Sequence, residues 1–279
     1  MNYLKHFGLR ELPFGITPDT SYFFACSSIQ EALNTLLVAI ANGEGLIKIT
    51  GEVGTGKTLL CRKFLSTLGA DWVSAYIPNP NLEPRVIQLA LAEAFGVPAA
   101  VEPHRLEKEL TQRLLAIARQ GKRVVVCMDE TQAMSLATLE AVRLLTNLET
   151  EKRKLMQVVL FGQPELDRKL ASESVRQVRQ RITFQHTLKA LARGEVADYV
   201  VHRLTIAGYS GPALFSAAAL KAIHIASRGV PRLINILAHK SLLLAYGEGA
   251  RSAERRQVRA AVEDTPAASP PWWWRWKAA

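Results

Sequence analysis

Leu46-Ile47-Lys48-Ile49-Thr50-Gly51-Glu52-Val53-Gly54-Thr55-Gly56-Lys57-Thr58-Leu59-Leu60 is the stretch whose reading decides the fold of this chain. It begins as a short β-branched run, passes through a glycine-rich segment and enters the helical pattern Leu59–Leu68. The segment Gly51–Thr58 matches G-x-x-x-x-G-K-[ST] in full and lies between a strand and a helix, as that motif requires. Glycines let the backbone bend until successive N–H groups point inward, and the helix that starts there adds its positive end. Gly51, Glu52, Val53, Gly54, Thr55, Gly56, Lys57 and Thr58 are therefore expected to form a phosphate cradle. Lys57 would neutralise charge on the β- and γ-phosphates, and the Thr58 hydroxyl would ligate Mg²⁺.

Outward from this loop, helical patterns alternate with short strand-like runs from about Ser27 to Leu188. Strands are expected at Leu46–Thr50, Trp72–Ile77, Arg123–Met128, Gln157–Gly162 and Ile182–Thr187. Such alternation predicts a five-stranded parallel α/β sheet sandwiched by helices. Val124–Met128 is apolar without alternation, as a strand buried on both faces should be. Ser27 or Ser28 is expected to cap a helix stopping at Gly43, and Ser135 one reaching about Leu148. From Lys189 strands disappear. A small all-α domain of three or four helices should occupy 189–264, including Gly194–Ala207, Ser216–Ser227 and Pro231–Tyr246, with Pro231 at a first helical position. Residues 1–26 form an aromatic, turn-rich segment, and 265–279 a Pro- and Trp-rich tail.

The strand Arg123–Met128 ends on two adjacent carboxylates, Asp129 and Glu130. After a complete phosphate loop this pair reads as catalytic: Asp129 holding Mg²⁺ through its water shell, Glu130 orienting and deprotonating the attacking water. The reading is an Mg²⁺-dependent ATPase.

Composition narrows the setting. Apolar residues make up 48 % and charged residues 22 % of the 279, so a disordered chain is not expected. Cys26, Cys61 and Cys127 lack metal-ligand spacing, and Cys127 reads as a core residue. His6 and His104 also lack ligand spacing and are expected at the surface. The N-terminus does not read as a signal peptide, and no run reaches the roughly 18 apolar residues of a membrane-spanning helix, Leu233–Tyr246 coming closest, so a cytoplasmic location is expected. The formal net charge of +10 favours an acidic partner without choosing among nucleotide, nucleic acid and anionic membrane.

Several stretches together carry a resemblance: Phe7-Gly8-Leu9-Arg10 with Pro13-Phe14, Thr17-Pro18-Asp19, the phosphate loop, Asp129-Glu130-Thr131-Gln132, Phe161-Gly162-Gln163-Pro164-Glu165-Leu166, Arg179-Gln180-Arg181-Ile182 and Gly229-Val230-Pro231-Arg232. From Tyr3 to about Ala261 the chain resembles AAA+ ATPases, and more narrowly the ExeA/MshM group linked to secretion and MSHA type IV pilus biogenesis. That group commonly has Ala where Thr131 stands. The resemblance implies that Gln163 is a "sensor 1" residue near the γ-phosphate and attacking water. It implies that Arg232 is a "sensor 2" arginine reaching back to the phosphates. It also implies that Arg181, with Arg176 and Arg179 as rivals, is an arginine finger supplied to a neighbouring subunit, so a homo-oligomer is expected. Phe14 or Tyr22 would either pack near adenine or be buried in the core.

The resemblance also implies a partner among inner-membrane pilus or secretion proteins. Arg251, Arg255, Arg256 and Arg259 form a basic cluster, and Trp272-Trp273-Trp274-Arg275-Trp276-Lys277 suits the membrane–water boundary, so a peripheral membrane contact is a further expectation. The alternative is a DNA-binding AAA+ ATPase similar to transposition target selectors. The absence of a clear helix-turn-helix pattern after the helical domain disfavours it.

Overall fold

A computed structural model describes residues 3–79, 83–98, 105–150 and 153–269. The chain divides into two compact units: Ser27–Val53 with Lys57–Leu188, and the residues up to Cys26 with Gly54–Gly56 and those from Lys189 onward.

The first unit is a five-stranded sheet: β1 (Leu46–Gly51), β2 (Trp72–Ile77), β3 (Arg123–Met128), β4 (Gln157–Gly162) and β5 (Ile182–Leu188). Every pairing is parallel, and the order is β2-β3-β4-β1-β5. Each expected strand is present with ends within one residue. The central β4 is buried along its whole length and β3 everywhere but its first residue, which is why both read as unbroken apolar runs. Strand register aligns the tips. Met128 of β3 lies opposite Leu160 of β4, and Gly162 of β4 opposite Thr50 of β1. The carboxyl ends of three neighbouring strands therefore emerge side by side, at the edge where open α/β sheets bind ligands.

Eight α-helices belong to the described chain before β5: α1 (Tyr3–Phe7), α2 (Ser27–Ala41), α3 (Lys57–Thr67), α4 (Pro84–Ala94), α5 (Leu106–Arg119), α6 (Leu136–Leu145), α7 (Pro164–Leu170) and α8 (Arg176–Arg181). All but α1 lie in the sheet unit. Leu60, Cys61 and Phe64 of α3 recur at helical spacing and are fully buried. One core joins Ile87 and Leu91 of α4, Leu110 and Leu114 of α5, and Leu139 and Val142 of α6 to Val124, Val126 and Met128 of β3. Cys127 is wholly buried, as expected of a core residue. Ser135 caps α6, its Oγ accepting the Thr138 N–H at 3.1 Å, worth about 1 kcal/mol. That helix stops at Leu145, short of the expected Leu148, because the chain turns into the Glu149–Lys154 bridge.

In the second unit, α9 (Arg193–Ile206), α10 (Ala217–Ser227), α11 (Pro231–Gly247) and α12 (Arg255–Glu263) pack with α1. Pro231 opens α11. α12 is not apparent from sequence, where its arginines dominate. Val258, Ala261 and Val262 form its buried face; Arg256 pairs with Glu248 at 2.6 Å and Arg259 with Glu263 at 3.0 Å. Part of that basic cluster is thus neutralised on the surface. Phe14 and Tyr22 are core residues: Phe14 meets Phe215 edge-on, and the Tyr22 hydroxyl donates to Glu11 at 2.8 Å. His6 departs from expectation. It is half-buried, and its Nε2 donates to Ala250 O at 2.8 Å because α1 packs its ring against Tyr246. His104 lies outside the described residues, as does the tail from Pro270.

Candidate nucleotide site

The loop after β1 bends through two left-handed glycines, Gly54 (φ 82°) and Gly56 (φ 99°), and α3 then begins at Lys57. A side chain at either would strain the turn. Lys57 is only 6 % exposed. Its Nζ donates to Gly51 O at 2.7 Å and Glu52 O at 3.0 Å, curling the ammonium over its own loop. Burial pushes the Lys57 pKa down, while the charges of Glu130, Asp129, Glu52 and Glu165 pull it back up. The ammonium is thus held dehydrated and ready for an anion that would favour its charged form.

Asp129 is buried at the end of β3, and its Oδ2 accepts the Thr58 hydroxyl at 2.5 Å and the Tyr76 hydroxyl at 3.3 Å. Its Oδ1 accepts the Glu130 N–H at 2.9 Å. A hydroxyl and a carboxylate in direct contact are hard oxygen donors, the set that suits Mg²⁺, so these two residues fit that ion. Burial and the Asp129 charge together push the Tyr76 hydroxyl pKa well above its ordinary value, which keeps it a donor.

Glu130 occupies the left-handed region (φ 54°), unusual for a residue with a side chain. Its Oε2 accepts Nε2 of Gln163 at 3.0 Å and Nε2 of Gln132 at 2.5 Å. Gln163 follows β4 at the position just before α7. Hydrogen bonds thus link Thr58 to Asp129, Asp129 to Glu130, and Glu130 to Gln163, with Lys57 within their field.

The arginines stand apart from this chain of bonds. Arg176, Arg179 and Arg181 are all exposed along α8, and exposure does not single one of them out; Arg181 feels the charge of Glu149. Arg232 belongs to the second unit, where its N–H donates to Gly54 O at 3.2 Å and its side chain is exposed.

Three residues of this site have no role assigned from sequence. Tyr76 reaches Asp129 because β2 lies next to β3, an adjacency that no local pattern announces. Gln132 lies within the Asp129–Gln132 stretch, and its proximity to the acids is the available signal. Lys169 donates to Gln132 O at 2.5 Å and Met134 O at 2.7 Å, fixing the turn after the acids.

A glycine loop at the end of β1, a buried lysine behind it and an acid pair at the end of β3 on a parallel sheet are the arrangement of the P-loop fold, and a family model described as "AAA domain" matches residues 40–170. The chain is similar to General secretion pathway protein A of Aeromonas hydrophila, with 41 % identity over 249 residues, covering 88 % of this chain and 45 % of that protein. It therefore spans a little under half the length of that relative. The fold is shared with the Aeropyrum pernix ORC2 protein (18 % identity, TM-score 0.64, covering 87 % of this chain and 68 % of the other). It is shared equally with Cdc6p from Pyrobaculum aerophilum (16 % identity, TM-score 0.65, covering 88 % and 70 %).

Proposed function

We propose that this chain binds ATP with Mg²⁺ on Gly51–Thr58, hydrolyses it with Asp129 and Glu130, and uses the resulting conformational change to assemble or operate a bacterial envelope machine of the secretion or MSHA-like pilus type. The observation that carries the reading is the continuous network Thr58–Asp129–Glu130–Gln163 beside a buried, dehydrated Lys57.

Loop N–H groups bind the polyphosphate, and Lys57 neutralises its terminal charge. Thr58 and Asp129 hold the cation. Mg²⁺, when bound, would supply positive charge against the charge that develops on the phosphates. Glu130 takes a proton from the attacking water, and Gln163 helps orient that water. Arg232 senses the nucleotide, and an α8 arginine, Arg181 by sequence, serves a neighbouring copy in a homo-oligomer. The working division is an N-terminal segment 1–26, an ATPase domain 27–188, a lid 189–264 and a tail 265–279. The similarity to General secretion pathway protein A supports the secretion role, and a partner at the inner membrane belongs to the same proposal. Among the described residues no helix is long and apolar enough to cross a membrane, which accords with a cytoplasmic or peripheral position.

Hydrolysis measured on the purified chain tests the reading. Activity should require Mg²⁺, and Glu130→Gln should lower kcat by about 10²- to 10⁴-fold while ATP binding persists. Hydrolysis indifferent to both chelation and Glu130→Gln would overturn it.

A further inference from the structure

Gln132 has no part in the proposed hydrolysis, yet its side-chain amide is tied at both ends. Its Oε1 accepts the Gln163 N–H at 3.0 Å, and its Nε2 donates to Glu130 Oε2 at 2.5 Å. A backbone N–H can only donate, so the amide oxygen must face Gln163 and the NH₂ must face the carboxylate. The chemistry of the two partners dictates that orientation. The main chain is held as well: Gln132 O accepts the Lys169 ammonium, and the neighbouring Thr131 hydroxyl donates to Phe161 O at 2.9 Å. Gly162 leaves room for this contact, since a Cβ there would lie 2.8 Å from Thr131 Oγ1. Residues 131 and 132 thus stitch the tip of β3 to the tip of β4.

The consequence falls on Glu130. Two amides converge on Oε2, and among the described residues no hydrogen bond reaches Oε1. The backbone of Glu130 lies in the left-handed region (φ 54°, ψ 35°), uncommon for a residue with a side chain, and the two amides fix where its carboxylate sits. We infer that Gln132 is a positioning residue for hydrolysis: it pins Oε2 of Glu130 to the β4 tip so that Oε1 is presented to the attacking water. This rests on the reading of Glu130 as the base.

The test uses the full chain with ATP and Mg²⁺. Gln132→Leu removes both hydrogen bonds at similar volume. Gln132→Glu keeps the length and the acceptor for Gln163 but deletes the donor and sets a second carboxylate against Glu130. Both should lower kcat by about 10- to 100-fold while KM for ATP stays within about threefold. In single-turnover measurements, adding Gln132→Leu to Glu130→Gln should cost less than about twofold more, because no base is left to position. A residue that merely supports the fold would raise KM or give additive losses. Unchanged or raised kcat in both variants, or full additivity, overturns the inference. Should Gln132→Leu fail to fold, Gln132→Glu carries the test. If the wild-type chain does not hydrolyse ATP, or Glu130→Gln hydrolyses as fast, the base assignment fails and takes this inference with it. Hydrolysis that needs Glu130 but ignores Gln132 sinks the inference alone.

Discussion

Each unit of this molecule buries a cation, and the two are treated in opposite ways. Lys57 in the sheet unit meets two loop carbonyls and a field of carboxylates, and burial works against its charge. Arg203 in the helical unit is equally buried, but its bonds tie it to fixed carbonyls and rings of its own unit. Its Nε donates to Pro13 O, Nη2 to Gly15 O at 3.2 Å and Nη1 to the Tyr199 hydroxyl at 3.2 Å, and the guanidinium lies 4.3 Å over the Tyr22 ring. A planar fork of donors suits several fixed carbonyls and aromatic faces, whereas an ammonium on a flexible stem suits an incoming anion. Arg203 fastens the N-terminal segment to α9, whereas Lys57, in the function proposed above, serves a ligand. Burial of a positive charge is thus no sign of function until its surroundings are compared.

Three substitutions or conditions sharpen this contrast. Lys57→Ala should have the largest effect. Losing the charge that faces the phosphates should cut hydrolysis at least about 10³-fold, about 4 kcal/mol of transition-state stabilisation, with little change in melting temperature. Retained activity would place Lys57 with Arg203 as a structural cation. Arg203→Met should do the reverse. It leaves the Pro13 carbonyl without its donor and the Gly15 carbonyl with only the Asn235 amide at 3.3 Å, and should cost about 3 kcal/mol in a urea melt. A stability unchanged within error would show that water replaces the guanidinium.

The smallest effect concerns pH. Burial depresses the pKa of His224, helped by the Arg193 charge, and burial alone depresses that of His239, both in the helical unit. Each takes its proton at a lower pH when folded than the ordinary 6.5 of the unfolded chain, so the unfolded state binds more protons in that window. Stability should therefore be full above about pH 6.5 and fall as pH drops from there toward the folded values. A thermal melt at about pH 7.5 and about pH 5.5 should show a decrease smaller than that of Arg203→Met. His239→Gln should flatten it; a melting temperature that rises on acidification contradicts the assignment.

The two units also differ in how openly their sequences spoke. In the sheet unit, Val124–Met128 and the G-x-x-x-x-G-K-T loop are local patterns, and the five strands appear where those patterns lie. In the helical unit, α12 is hidden because arginines dominate a short segment whose apolar face is only Val258, Ala261 and Val262. His6 reads as a surface residue because nothing adjacent to it foretells Ala250, 244 positions away. The end of α6 at Leu145 likewise depends on a bridge that forms beyond it.

What could be known from residue order was whatever a few consecutive side chains enforce: a glycine loop able to turn its amides inward, an acid pair closing an apolar strand, prolines and serines at helix starts. What needed the folded chain was everything set by strand adjacency. β2 beside β3 delivers Tyr76 to Asp129, and β4 beside β3 delivers Gln163 to Glu130 with Gln132 between them. The reason is physical: hydrogen bonds act over about 3 Å, and only the order of strands in the sheet decides which distant residues come that close.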